Sequence, residues 1–289
     1  MAKDWHRISN EEEKKILLEN VKFARSMTIF CLIFMFGGGI TYNTFLPYSK
    51  GEYLVDNVTH RHLAYPSYVG FFNPNVMPAY HFVFFLQLIF SIIALSLTCA
   101  VCSITSLCVS HIAGRCSIIN SIFANISEDF ENKKLAKTIK EHWQCLKFAS
   151  ILEEFSNEIY LVEFGGSTIV ICLLGYYLIV DIERMDTFGL LTHSCLFISI
   201  TFNIFIFCYV GEILTDKCNK IGQAVFESSW SELPAADVKN FILVLAVAQK
   251  PVFLTAGKMI TLSIRSFTNV LKASATYLNM LRTLLVNNN

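Results

Sequence analysis

The sequence predicts an all-α polytopic membrane protein with five transmembrane helices and long helical extensions on the cytoplasmic side. Three observations carry that prediction. Of 289 residues, 54% are hydrophobic and only 16% charged, against ~25% charged in soluble domains, and mean hydropathy is +0.49. Uncharged runs recur at about the 20 residues that a ~30 Å hydrocarbon core demands of a helix. The stretch 250–286 is also long enough to span, yet its second half carries two opposite stripes. Phe267, Leu271, Ser274, Leu278, Leu281 and Leu285 share one helical face, and Asn269, Lys272, Thr276, Asn279 and Thr283 share another. An unpaired amide or hydroxyl in hydrocarbon costs several kcal/mol, so the polar face calls for water or other helices.

The amino-terminal segment 1–25 is charged and has no apolar core, so it does not read as a cleavable signal peptide. Residues 26–49 lack charge and form the first span. Within it Gly37, Gly38 and Gly39 allow close helix approach or a small ligand cavity. The connection 47–79 holds four prolines and many aromatic residues, which predicts a folded loop at the membrane mouth. Asn57-Val58-Thr59 is a glycosylation sequon there; Asn125-Ile126-Ser127 is a second, silent if cytoplasmic.

Residues 80–110 read as one continuous apolar helix, longer than a span requires. In 115–163 charge is dense, and Leu135, Ile139, Trp143 and Leu146, then Leu152, Phe155 and Ile159, fall at helical spacing. Two amphipathic helices in water are expected. Residues 164–180 and 187–211 are the third and fourth spans, joined by the tight acidic link DIERMD. A second soluble stretch, 212–250, contains Trp230 and the apolar run 241–247. The region 251–289 supplies the last helix and a short tail.

Basic residues orient the chain. The segments before span one, between spans two and three, and between four and five hold six, six and four Lys and Arg, whereas 47–79 and 181–186 hold two and one. Positive-inside asymmetry places the amino terminus in the cytoplasm and the carboxyl terminus outside.

Several function classes lose support. Zero net charge gives no electrostatic case for nucleic acid. No nucleotide-binding, hydrolase, zinc-protease or EF-hand pattern occurs, so the chain does not read as an enzyme, and no metal or cofactor is called for. Of ten cysteines, Cys31, Cys99, Cys102, Cys108, Cys172, Cys195 and Cys208 lie in uncharged runs and read as small apolar residues. His193 on the fourth span reads as a packing or pore-edge residue, with a ligand or proton site as the sharper alternative. A G-protein-coupled receptor needs an external amino terminus, and a transporter would show paired repeats. An ion channel or channel-receptor remains, and the two-faced last helix is the feature it requires.

Four places resemble the insect odorant receptor family: 71–87 (FFNPNVMPAYHFVFFLQ); 142–155 (HWQCLKFASILEEF) leading into FGGSTIVICLLGYYL; GEIL with Ala224-Val225-Phe226 and Trp230; and 249–282, where Gln249-Lys250-Pro251, Ala256-Gly257, Phe267, Leu271-Lys272 and Tyr277 come in the family's order. Thr276-Tyr277 is followed after five residues by Thr283-Leu284, unlike the related gustatory receptors. The family has seven spans, and the five here resemble its third to seventh.

The resemblance implies a subunit of an odorant-gated, non-selective cation channel in the plasma membrane of an olfactory neuron dendrite, needing no G protein. It implies a heterotetramer with a shared co-receptor, held by the cytoplasmic stretches 115–163 and 212–250. Small volatile odorants would enter an apolar pocket lined by Phe36, Gly39, Ile40, Phe84, Leu88, Leu191 and Cys195. The stripe Asn269, Lys272, Thr276 and Thr283 would face the pore, with a constriction at Met280 and Leu284 nearby. The alternative is a truncated, non-conducting subunit or pseudogene product that only assembles with partners.

Overall fold

The structure, a computed structural model, describes residues 11–55, 58–67, 73–124, 132–228 and 235–287. Six long or medium helices and two small hairpins account for them. In chain order these are α1 (Glu11–Ser49), β1 (Glu52–Val55), β2 (Val58–Arg61), α2 (Ala79–Ala124), α3 (Asn132–Glu183), α4 (Thr187–Glu227), α5 (Ala235–Ala248), β3 (Thr255–Ala256), β4 (Ile260–Thr261) and α6 (Ile264–Asn287). Asn57, Asn125 and Trp230, singled out in the sequence, lie outside the described residues.

Four helices are long and apolar enough to cross a membrane: Glu11–Ser49, Ala79–Ala124, Leu135–Glu183 and Thr187–Glu227. At 24 residues α6 is also long enough, about 36 Å at 1.5 Å per residue, but its polar stripe keeps its composition mixed.

Two sequence expectations change. The amphipathic stretch within 115–163 is not a pair of separate helices in water: α2 runs on to Ala124, and α3 is one helix of 52 residues that continues into the third span. Proline is absent from both, and the backbone of Gly165 and Gly166 stays in the ladder because apolar surroundings leave it no better partner. The last helix does not start at residue 251. Pro251 has no amide to donate, Gly257 and Lys258 take φ of 61° and 58°, and the chain turns through β3 and β4 before α6 begins at Ile264.

Two compact units result. One comprises the chain up to Thr28, Ser103–Val162 and Phe207–Phe267; the other comprises Ile29–Cys102, Glu163–Ile206 and the chain from Thr268. The first is built on a dense core. Phe123 and Phe241 meet edge to face at 5.7 Å, Tyr160 shares a 2.8 Å hydrogen bond with Thr105, and Gly114 lets Leu17 lie over α2. Along α3 the buried stripe runs Leu135, Thr138, His142, Cys145, Ala149, Leu152, Ser156 and Tyr160, while Trp143 and Phe155 are exposed. The expected stripe was therefore offset, because polar side chains occupy three of the eight covered positions.

The second unit presents Ile33, Phe82, Phe90, Leu97 and Ile169 outward, as a lipid-facing surface requires. Its helices are joined by polar contacts. Ser199 Oγ of α4 donates to the Phe34 carbonyl of α1 at 2.7 Å, Asn43 Nδ2 to Ser91 Oγ at 2.8 Å, and Asn203 Nδ2 to Glu163 Oε1 at 2.8 Å. Where lipid tails match Leu in apolarity, such bonds and close backbone approach carry helix association. The 47–79 connection is folded, as expected: β1 and β2 pair antiparallel with Glu52 opposite Arg61, and Gln87 Nε2 reaches back to the Tyr65 carbonyl at 2.8 Å.

Candidate functional site

The first candidate site lies in the second unit, and so does the second from Thr268 onward. The first grows from the glycine run of α1. A Cβ on Gly38 would fall 2.0 Å from Ser199 Oγ, and one on Gly39 would fall 2.5 Å from a Leu95 methyl, whereas one on Gly37 would meet nothing within 4 Å. Gly38 thus lets α4 approach and Gly39 lets α2 approach. Around this crossing, Phe36 is half-buried and Ile40 exposed on α1; Cys195 is half-buried on α4 with its carbonyl 3.0 Å from the Gly38 Cβ position; Leu191, one turn away, is exposed. Phe84 and Leu88 are half-buried on α2, with the Phe84 ring stacked 6.0 Å from Tyr80. The structure therefore brings Gly39 and Cys195 to one helix crossing through Gly38, Ser199 and Leu95.

A turn beyond that crossing is a feature the sequence reading touched only at His193. Its Nδ1 lies 2.6 Å from Asp181 Oδ2, and the side chains are 4% and 10% exposed. The Tyr177 ring stacks on the imidazole at 5.2 Å and 9°, and Tyr42 meets it edge-on at 5.9 Å. Tyr42 in turn packs at 5.7 Å on Tyr65 of the folded connection. The link after α3 makes this possible. Met185 takes a φ of 56°, Asp186 Oδ1 accepts from the Gly189 amide at 3.0 Å to open α4, and the chain folds back to place His193 beside Asp181. The signal was present as a lone acid at the end of one span and a lone His in the next.

The second candidate is α6. Val270 and Ser274 are buried, Phe267, Leu271 and Leu278 are half-buried, and Asn269, Lys272, Thr276, Asn279, Met280 and Thr283 are exposed. Leu278 lies against Gly175 of α3, where an added Cβ would come within 3.2 Å. Thr276 and Thr283 donate to the carbonyls of Lys272 and Asn279, both at 2.9 Å, so part of the polar stripe is satisfied within the helix. Met280 is 60% exposed. The side chain of Leu284 lies outside what the structure describes.

The start of α6 is built in the first unit. Ser263 Oγ accepts from the Ser266 amide at 3.2 Å as an N-cap, and Glu212 Oε2 accepts from the Ile264 amide at 3.2 Å. Gly211 admits the Leu262 carbonyl, and the Gly257 amide donates to the Asn157 carbonyl at 2.8 Å. Thr255 Oγ1 donates to Glu153.

The family model described as 7tm Odorant receptor matches residues 2–275. The chain belongs to the insect odorant receptor family. Odorant receptor 13a of Drosophila melanogaster is 25% identical over 171 residues, 55% of this chain and 40% of that protein. Odorant receptor 10 of Aedes albopictus is 26% identical over 156 residues, 53% and 41% of the two chains. The match thus spans about two fifths of the length of these odorant receptors. Among solved structures, the olfactory receptor OR5 of Machilis hrabei in complex with eugenol superposes with a TM-score of 0.78 at 14% identity, covering 95% of this chain and 70% of that one. That likeness establishes the helical membrane fold, and the relatives are receptors rather than enzymes.

Proposed function

We propose that this odorant receptor chain is a tuning subunit of a ligand-gated, non-selective cation channel that senses small volatile hydrophobic molecules. The observation that carries the reading is the division of α6: on its apolar side Val270 is buried and Leu271 and Leu278 are half-buried, with Leu278 lying against α3, while Asn269, Lys272, Thr276 and Thr283 stay exposed along the other side. A channel subunit needs one such helix, whose wet face meets ions only when several copies surround an axis. The proposed partner is the odorant co-receptor in a heterotetramer, with the amino terminus cytoplasmic and the carboxyl terminus external.

Odorant binding is assigned to the α1–α2–α4 crossing around Phe36, Gly39, Ile40, Phe84, Leu88, Leu191 and Cys195. Such a site binds by removing apolar surface from water, at roughly 25 cal/mol per Å², so shape sets selectivity. In the gate reading, Met280 stands beside the polar stripe and narrows the water path, with Leu284 one turn on. Asn57 would carry glycan on the external connection.

Co-expression with the co-receptor in cells, surface labelling, and recording during a panel of volatile ligands tests the proposal. Odour-evoked cation current that needs both subunits is the expected result. A complex that reaches the surface and stays silent across the panel would replace it with the second reading, a non-conducting subunit that assembles only.

A further inference from the structure

Seven of the ten cysteines fall in uncharged runs, and the remaining three are Cys116, Cys145 and Cys218. Though each comes from a different helix, α2, α3 and α4, the first unit brings them together. Cys116 and Cys218 have their sulfurs 3.8 Å apart, and Cys145 lies close enough to Cys116 for each to shift the other's titration. The three differ in access. Cys116 is 0% exposed and Cys218 4%, whereas Cys145, at 7%, lines a cleft of about 160 Å³ with His111, Ile112, Arg115, Glu141, Gln144 and Phe148. Arg115 of α2 and Glu141 of α3 form a half-covered ion pair at 3.3 Å in that cleft.

We propose that Cys145 is a peroxide-oxidisable thiol, reached through this cleft, and that Cys116 resolves its oxidised form into a disulfide that links α2 to α3. Four features support it. The cleft admits hydrogen peroxide, which is little larger than a water with its ~30 Å³ share of liquid. A hydrogen bond from Cys116 and the nearby Arg115 guanidinium hold the Cys145 thiol below the usual range, and the same contact drives Cys116 well up. Thiolate is the nucleophile, so attack begins at Cys145. A second thiol, Cys116, lies beside it, is 0% exposed and is not among the residues that line the cleft.

The step balances. The Cys145 thiolate attacks one peroxide oxygen, the O–O bond breaks, and Cys145 sulfenic acid and hydroxide form. The Cys116 thiol then displaces the sulfenic hydroxyl, the S–S bond forms and water leaves with the Cys116 proton. Two thiols lose two electrons, and one peroxide is reduced. Cys218, 3.8 Å from Cys116, can accept the link by exchange, which would free Cys145 and staple α2 to α4 instead.

The full chain in native membranes is exposed to hydrogen peroxide, unfolded in denaturant, alkylated with a maleimide, digested and mapped by mass spectrometry, and a second sample is alkylated without unfolding to read the rate at Cys145. Loss of maleimide at Cys116 is expected, with a disulfide from Cys116 to Cys145, or to Cys218 after exchange, that forms in the parent and not in Cys145→Ser. Cys116→Ser should leave a Cys145 sulfenic acid that dimedone traps. Arg115→Gln should slow Cys145 labelling about threefold to tenfold and Glu141→Gln should quicken it, opposite signs that a merely structural role would not give. Glutathione disulfide should react far more slowly than peroxide. A disulfide that still forms in Cys145→Ser, or Cys145 labelling no faster than the mean of the other cysteines in folded protein, overturns the proposal. Gel filtration of each variant confirms that folded protein is being read.

Discussion

Asp181 Oδ2 lies 2.6 Å from His193 Nδ1 although the two sit at the ends of different helices, and neither side chain is open to solvent. Tyr177 stacks on the imidazole and Tyr42 meets it edge-on, and Nδ1 has the Asp181 carboxylate as its partner. Removing one partner of such a bond leaves a buried donor unpaired, at about 1–3 kcal/mol, and more if the ring is charged. Asp181→Ala should lower the thermal midpoint of the solubilised protein clearly, and Asp181→Asn, which keeps an acceptor, should lower it less. Equal losses for the two variants would show that the hydrogen bond is not the stabilising contact.

Gly38 and Gly37 make an internal control for helix approach. An alanine methyl at Gly38 would collide with Ser199, and at Gly37 it would meet open space. Gly38→Ala should therefore destabilise by about 1–3 kcal/mol through overpacking. Gly37→Ala should be neutral or favourable by up to about 1 kcal/mol, the helix-propensity gain over glycine. Thermal midpoints of the two variants in the same detergent decide it, and similar shifts would contradict the packing geometry.

His142 gives a pH dependence with a defined sign. Its side chain is buried in the first unit, Nε2 has no partner among the described residues, and burial pushes its pKa below the usual imidazole value. The unfolded chain then takes up its proton first, near pH 6.5. Stability from this site falls as pH drops from about 6.5 toward the folded value and levels off below it. Wild type should lose more thermal stability than His142→Gln between pH 7.5 and 5.5. Parallel curves for the two would remove His142 as the cause.

Met280 is the test of the gate. Exposed beside the polar stripe, it can contribute to an apolar ring that excludes water without a plug. Met280→Ser should raise basal current in cells expressing the chain with the co-receptor, measured against equal surface labelling. Unchanged basal and evoked currents would count against this placement.

How much of this was legible in the sequence follows the strength of each physical constraint. Hydrocarbon dictates composition over about 20 residues at a time, so the runs within α1, α2, α3 and α4 announced themselves. The stripe of α6 was legible for the same reason in reverse, since polar residues at helical spacing in an apolar chain need a wet or packed face. Helix ends were not, because α2 and α3 extend past the apolar runs on ordinary helix-forming residues. The β3–β4 turn was missed since two-residue strands leave no periodic trace and the turn is held in part by a remote partner, the Asn157 carbonyl. The buried stripe of α3 was displaced because Thr138, His142 and Cys145 are covered while Trp143 is not. Asp181 and His193, twelve positions apart, were individually visible, and only the Met185 turn makes them neighbours.

The cap at Ser263 and the bond from Ile264 to Glu212 set the rotational phase of everything that follows in α6. Each residue advances a helix by about 100°, so one codon inserted between Phe267 and Met280 would swing the distal stripe a quarter turn and more. Point changes along Asn269, Thr276 or Thr283 alter the polar stripe one group at a time, whereas a single insertion or deletion redirects the whole stripe at once. Natural variation in this stretch should accordingly be rich in substitutions and poor in length changes, and a comparison of allelic forms at the DNA level would display that asymmetry.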